Sequence, residues 1–451
     1  MNISNYKRIH FIGIGGVSMS AIAMSLAERG YLVTGSDKAI GKNVEKLIEK
    51  GIQVYEGHRA ENLGDAELVV FTGAVGETNP EMLEAKKRNL PILRRTQALN
   101  IFLKDHKYNI AISGTHGKTT TSCMLTAILE SAGKSPDFFI GANVPTYHAA
   151  HRVENSDFLV IEACEYQASF LDFEPNTIIV NNIDYDHVDY YRGIDHVYDT
   201  FLEFVKGLGR DGKLLVNNDD EYAGKLANLQ GAEVYTFGIE NDSCFMAKEI
   251  SFDDHVASYD FYANGEKLCR IQSSVLGMQN VYNSLGAYAA AFVNGVDVKA
   301  NQDALLEYNN ASRRFELLKK EGQAVLISDY AHHPAEIIAT LRTASALKKG
   351  DLVVIFQPHT FSRTKRFLND LIHSFDAADK VYIADIDPVR ELDSLEISSM
   401  DIVEGMKKRD LNVHYLGSLD GLAEVVEQNL IGENIVIAMG AGSIDKFARR
   451  I

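Results

Sequence analysis

A chain of 451 residues is too long for one hydrophobic core and suits two to four domains. Its formal net charge of −17, with no dominant Lys/Arg cluster, argues against a nucleic-acid binder, so an anionic ligand must be held by local devices. No apolar run approaches the roughly 18 residues of a membrane helix, and Met1–His10 carries no signal-peptide core. Cys123, Cys164, Cys244 and Cys269 form no CxxC pair, which reads as reduced cytoplasmic thiols, not a disulfide framework or zinc site.

The first unit spans residues 7–37. Arg8–Ile12 is strand-like, Gly13-Ile14-Gly15-Gly16-Val17-Ser18 is a turn, Met19–Arg29 has helical spacing, and Gly30–Asp37 is a second strand ending in an acid. This is the layout of a dinucleotide-binding βαβ start, the acid falling about 20 residues after the glycines. Ser18 at the third glycine position predicts some loss of helix–strand closeness. The bland alternative is a βα turn without a ligand. Leu68–Phe71, Asn79–Lys87 and Leu90–Leu93 continue as strand, helix and strand. Arg94 and Arg95 follow, either solvated or meeting a phosphate. Phe102–Lys107 reads as a polar domain link.

The second unit opens with the apolar run Ile110-Ala111-Ile112, the turn Ser113-Gly114-Thr115-His116-Gly117, and Lys118-Thr119-Thr120-Thr121 leading into Met124, Leu125, Ile128 and Leu129 at helical spacing. Strand, glycine turn and helix N-terminus aim backbone N–H groups at an anion; Lys118 adds a charge, and the Thr119 hydroxyl can reach Mg2+. The spacing is two residues shorter than the standard P-loop, since Ile112 stands where that pattern has glycine. Phe158–Glu165 and Thr177–Ile183 are buried strands that deliver Glu162, Glu165 and Asp184-Tyr185-Asp186-His187 at their C-terminal ends, where open α/β sheets bind ligands. Beside the Gly-Lys-Thr turn they make a magnesium constellation. His187 alone would read as structural. From 213 the chain is β-rich, and Gly277–Asn283 opens a helix Ser284–Val293, with Asn280 and Asn283 on one face as a cap or facing a purine.

A third α/β unit starts near 312. Its strands Ala324–Ile327, Leu352–Phe356, Lys380–Ala384 and Asn434–Met439 end in Ser328–Pro334, Gln357–Thr364, Asp385–Pro388 and Gly440–Ser443, which predicts one functional sheet edge. A helix follows Pro334 through Leu341.

His10–Gly16, Gly114–Thr120, Glu162–Tyr166, Asp186–Asp189, Arg313–Glu316, Asp329–Pro334 and Gln357–Thr364 resemble, in order and over nearly the whole chain, the motifs of the Mur ligases. The resemblance implies an α/β protein of three domains: an N-terminal Rossmann-like domain for a UDP-sugar (1–106), a central P-loop-type ATPase domain (107–312) and a C-terminal Rossmann-like domain (313–451). It implies ligation of L-alanine to the carboxylate of UDP-N-acetylmuramate through an acyl phosphate, using ATP and Mg2+, with Mn2+ as an alternative ion. Attachment of a recycled tripeptide to the same sugar is the nearest rival. The implied ATP site is Gly114, Thr115, His116, Gly117, Lys118, Thr119, Thr120, Asn280, Asn283, Arg314 and Asp329. The implied UDP-sugar site is Gly13, Gly15, Gly16, Val17, Ser18, Asp37, His332, His359 and Arg363. Thr119, Glu162 and His187 would serve the magnesium ions, two in number, and Lys118, Glu162, His187, Arg314 and His332 the catalysis. A cytoplasmic monomer or weak homodimer is expected, with neither nucleic acid nor membrane insertion. Departures from the commonest pattern are Ser18, Gln279 in place of histidine, Ser328 in place of aspartate, Thr360 in place of arginine and Cys164 in place of aspartate. A nicotinamide-dependent dehydrogenase would leave the Gly-Lys-Thr unit unexplained, and a regulatory ATP-binding protein would lack turnover.

Overall fold

The computed structural model describes residues 3–73, 75–253, 256–308, 310–389, 391 and 396–451. Three sheets follow one another along the chain. The first holds β1 (Arg8–Ile12), β2 (Leu32–Asp37), β3 (Gln53–Glu56), β4 (Leu68–Phe71) and β5 (Ile92–Arg94), all parallel in the order β3-β2-β1-β4-β5. Near-continuous apolar strands such as Leu68-Val69-Val70 suit a parallel sheet covered on both faces.

The second sheet has ten strands: β6 (Tyr108–Ser113), β7 (Asp137–Val144), β8 (Ala149–Arg152), β9 (Phe158–Glu162), β10 (Thr177–Val180), β11 (Lys213–Asn217), β12 (Glu233–Gly238), β13 (Phe245–Asp253), β14 (Val256–Ala263) and β15 (Glu266–Ser273). Their order is β15-β14-β13-β12-β11-β10-β6-β9-β7-β8. The middle is parallel, and β13–β15 form an antiparallel extension. Strand β6 lies between β9 and β10, so the turn after β6 is flanked by the carboxylate-bearing ends of both neighbours. The third sheet, β16 (Glu316–Glu321), β17 (Ala324–Asp329), β18 (Leu352–Phe356), β19 (Lys380–Ala384), β20 (Val413–Gly417) and β21 (Ile435–Met439), runs in the order β16-β17-β21-β18-β19-β20 and is parallel apart from β16.

Two sequence expectations are corrected. Phe102–Lys107 is not a polar link: Arg95–Asp105 is a helix, and Phe102 and Leu103 are buried in an apolar cluster that also holds Phe139 and Phe170 of the second unit. Two apolar side chains carry that segment inward despite its charged neighbours. Arg29 covers the Phe102 ring at 4.6 Å, and Phe139 packs on it at 5.3 Å. The helix expected at Ser284 starts at Met278, because Gly277 (φ +103°) supplies the N-cap and the chain turns helical at once. A buried Phe truncated to Ala loses both transfer energy and packing, so Phe102→Ala is expected to destabilise the chain by about 3 kcal/mol. Chemical denaturation measures this, and a change near zero would restore the linker reading.

Candidate functional site

The turn after β6 is built for close approach. Gly114 and Gly117 have φ of +131° and +79°, and a Cβ on Gly117 would come 2.4 Å from Asn283 Oδ1. The chain following β10 holds the turn. Thr115 N donates to Asn182 O at 3.1 Å and His116 N to Asn182 Oδ1 at 2.7 Å. Asp184 N donates to Thr115 Oγ1 at 2.8 Å, while that hydroxyl donates to Asp184 O at 3.1 Å. Gly117 caps the helix Lys118–Ser131. The Lys118 ammonium donates to Gly114 O (2.6 Å), Thr115 O (2.9 Å) and Glu165 Oε2 (2.9 Å). Burial opposes its charge, but Glu165 outweighs burial and raises its pKa.

Thr119 Oγ1 and Gly141 N both donate to Glu162 Oε2, each at 2.9 Å. A side chain at Gly141 would bring its Cβ within 3.0 Å of that oxygen, so glycine leaves room for the carboxylate. This hydroxyl–carboxylate pair is an oxygen donor set that fits a hard divalent cation. His187 stands in the loop after β10. Its Nε2 lies 3.5 Å from Glu165 Oε1, and it clusters with Glu165 and Cys164, a group that does not include Glu162. The residues expected to serve the magnesium ions thus form two neighbouring groups, Thr119 with Glu162 and His187 with Glu165 and Cys164. Glu165, named from the sequence only as one carboxylate of the magnesium constellation, accepts from Lys118 at 2.9 Å, a pairing the sequence did not show.

His116, Gly117, Thr120, Asn280, Asn283, Arg314 and Asp329 line one cavity of about 480 Å³ between the second and third sheets. Asn283 Nδ2 donates to Asn280 Oδ1 at 3.1 Å, and Thr121 Oγ1 donates to Asn283 Oδ1 at 3.2 Å. Gln279 reaches Thr343 Oγ1 of the helix Pro334–Leu347 at 3.2 Å, which gives this departure a contact across the boundary. The Arg314 guanidinium lies 4.9 Å from the Tyr330 ring centroid. Asp329 accepts from Phe315 N and Ala331 N (both 2.8 Å) and from Thr340 Oγ1 (3.2 Å), so it braces the loop that carries Arg314. Burial pushes its carboxyl up despite these donors. Ser328 donates to Asp445 Oδ1 at 2.7 Å.

The residues expected to meet a UDP-sugar fall in two places. Gly13, Gly15, Gly16, Val17, Ser18 and Asp37 form the first turn. Gly13 N donates to Ser36 O and Gly15 N to Asp37 Oδ2, both at 2.8 Å, and Gly16 caps the helix Val17–Glu28. Asp37 therefore closes the turn itself. At Gly35 the strand β2 lies close under the turn, where a Cβ would sit 2.5 Å from Ile14 Cδ1. Ser18 is half-buried. His332, His359 and Arg363 sit at the other boundary. Arg363 donates through Nε (3.1 Å) and a terminal nitrogen (2.8 Å) to Asp186 Oδ1 and contacts His359 Nδ1 at 3.1 Å. Burial, then the charges of His332 and Arg363, hold His359 down at about 4. His332 Nδ1 lies 3.2 Å from Glu336 Oε2. Of the arginine pair, Arg94 is exposed, whereas Arg95 turns inward to within electrostatic reach of Cys164 and Glu162.

His116 joins the two boundaries of the cavity. Its Nε2 meets Asp184 Oδ2 and its Nδ1 meets Glu336 Oε1, each at 3.2 Å, and the His333 ring packs 4.8 Å away. Burial disfavours its charge, but the two carboxylates prevail and raise it to about 10 from its ordinary 6.5. A raised folded-state pKa contributes stability that is complete below about 6.5 and is lost as pH rises through about 10. Wild-type chain should therefore melt above His116→Asn at pH 6.5, with the gap closing by pH 10.5. Melting curves across that range check this, and a pH-independent gap would remove the imidazolium from the clamp.

Three family models match in chain order: "Mur ligase family, catalytic domain" at residues 8–107, "Mur ligase middle domain" at 112–291 and "Mur ligase, glutamate ligase domain" at 313–442. The chain is 38% identical to a UDP-N-acetylmuramate–L-alanine ligase of Clostridium perfringens and 39% identical to one of Clostridium acetobutylicum. Each match covers 98% of this chain and 96% of the relative. The solved UDP-N-acetylmuramate–alanine ligase of Thermotoga maritima superposes with a TM-score of 0.80 at 28% identity, over 98% of this chain and 97% of that one. A murein peptide ligase of Psychrobacter arcticus superposes with 0.69 at 26% identity, over 98% of each chain. Three models in order, full-length relatives and a glycine turn that shares a cavity with the third sheet converge on one conclusion: this chain belongs to the Mur ligase family.

Proposed function

We propose that this chain joins L-alanine to the muramyl carboxylate of UDP-N-acetylmuramate, converting ATP to ADP and phosphate, and supplies a peptidoglycan precursor in the cytoplasm as a monomer or weak homodimer. One observation carries the nucleotide part: the turn residues His116 and Gly117 share a cavity with Arg314 and Asp329 of the third sheet. The acceptor and amino acid follow from the relatives at 38–39% identity over nearly the full chain. Residues 1–106 hold the UDP-sugar, 107–312 the ATP, and 313–451 close over both.

A carboxylate is a poor acyl donor because its leaving group would be oxide. Transfer of the ATP γ-phosphoryl group to a carboxylate oxygen makes an acyl phosphate. The alanine amine attacks the acyl carbon, and the tetrahedral intermediate expels phosphate. Lys118 exchanges its carbonyl partners for phosphate oxygens, and Arg314 contacts the terminal phosphate, both offsetting charge on the transferring group. Thr119 and Glu162, with His187 on the neighbouring loop, would hold Mg2+, which would supply charge neutralisation on the phosphates. His332, His359 and Arg363 face the muramyl and alanine side. The buried Asp186–Arg363 pair, at 2.8 Å, orients that group.

Phosphate release from ATP with UDP-N-acetylmuramate is expected to depend on added L-alanine, with little response to tripeptide. A tripeptide-dependent rate would favour the recycling reaction, and no amine-dependent rate would sink the ligase reading. Lys118→Ala should lower turnover by about 10²–10³ or more while circular dichroism stays unchanged. Unaltered kcat would take Lys118 out of the mechanism.

A further inference from the structure

The ligand atoms of Cys164, Glu165 and His187 all lie within 4.8 Å of one another. Glu165 is 1% exposed, and its two oxygens are used differently. Oε2 takes the Lys118 ammonium at 2.9 Å. Oε1 is buried without a hydrogen-bond donor and faces His187 Nε2 at 3.5 Å. In the metal-free chain the His187 ring is the cation that meets this oxygen, so an incoming metal ion takes over that place. His187 is itself held at φ +51°, a conformation that non-glycine residues keep where surrounding structure demands it.

The thiol changes which cation suits the place. Thr119 and Glu162 are hard oxygen donors. Thiolate, imidazole and carboxylate together are the donors of a softer ion, Zn2+ above all. Sequence spacing argues against a zinc site, because Cys164 and His187 come from the loops after β9 and β10. The parallel sheet, with β6 between them, brings those loops to one edge.

We propose that Cys164, Glu165 and His187 form a site for a thiophilic divalent cation, Zn2+ in the first instance, beside the phosphate turn. Binding forms metal–sulfur, metal–nitrogen and metal–oxygen bonds and releases the thiol and imidazolium protons to solvent, so no oxidant is needed. Bound Zn2+ takes His187 away from the nucleotide's Mg2+ and slows turnover. That consequence rests on the ligase reading; metal binding does not.

Cobalt(II) is the probe. Titrated into the nucleotide-free full chain without Mg2+, it should bind one ion per chain with a thiolate-to-metal charge-transfer absorption that Zn2+ abolishes. Cys164→Ser, and Cys164→Asp as a second variant, should lose that absorption. Their Zn2+ affinity, measured by competition with a chromophoric chelator, should fall roughly tenfold or more. Zn2+ added to the ATP assay in excess Mg2+ should inhibit wild type, with the half-inhibitory concentration raised by a similar factor in both variants. Circular dichroism checks that each is folded. The proposal is overturned if wild type gives no thiolate absorption, or if the absorption survives in either variant, which would place the metal on Cys123, Cys244 or Cys269. A chain that shows the Co2+ signature but no L-alanine-dependent turnover keeps the site and loses the ligase reading.

Discussion

A buried ammonium governs the centre of this molecule. Lys118 opens a helix whose residues are largely enclosed, and a charge in that setting must be paired. Two turn carbonyls and Glu165 supply the pairing. That requirement has consequences outward. It keeps the Gly114–Gly117 turn curled over the lysine, which demands glycine at both positive-φ positions. It draws the end of β9 against the turn, and with it Glu162, Cys164 and Glu165. Glu165 in turn sets the position of His187, so the geometry of one charge reaches the loop after β10.

The boundary with the third sheet repeats the same constraint on a larger scale. From the second unit, His116 bridges its own Asp184 to Glu336 of the third, and Asp186 takes Arg363 of the third. Buried pairs of this kind add little net stability against an apolar alternative, because desolvation offsets most of the attraction. Their contribution is orientation, since a misplaced domain would leave Arg363 or Asp186 charged and alone. The cavity between the sheets therefore has a defined shape, with Asp329 bracing the Arg314 loop on one side and the Asn280–Asn283 pair on the other. In a chain of net charge −17, the cations Lys118, Arg95, Arg314 and Arg363 all turn inward at this centre.

Local pattern carried far. The apolar strands ending at Ser113, Glu162 and Phe356 were legible, as were the glycine turns at Gly13 and Gly114, because alternation of strand, turn and helix is written in short stretches. Boundaries were less so. Phe102 and Leu103 look like part of a polar segment until the cluster with Phe139 buries them. The start of the Met278 helix depended on Gly277 adopting a left-handed conformation.

The sequence by itself determined the elements, their order, the glycine turn before Lys118 and the charged residues at strand ends, since each follows from the chemistry of neighbouring residues. Only the tertiary structure decided the partnerships. His187 joined Glu165 and Cys164 because sheet order, not chain distance, sets which strand ends are adjacent. Asp37 turned to Gly15 N because the turn's own donors lie closest to it. Arg95, Asp186 and Glu336 gained their places because burial at a domain boundary makes each charge seek a partner from another part of the chain.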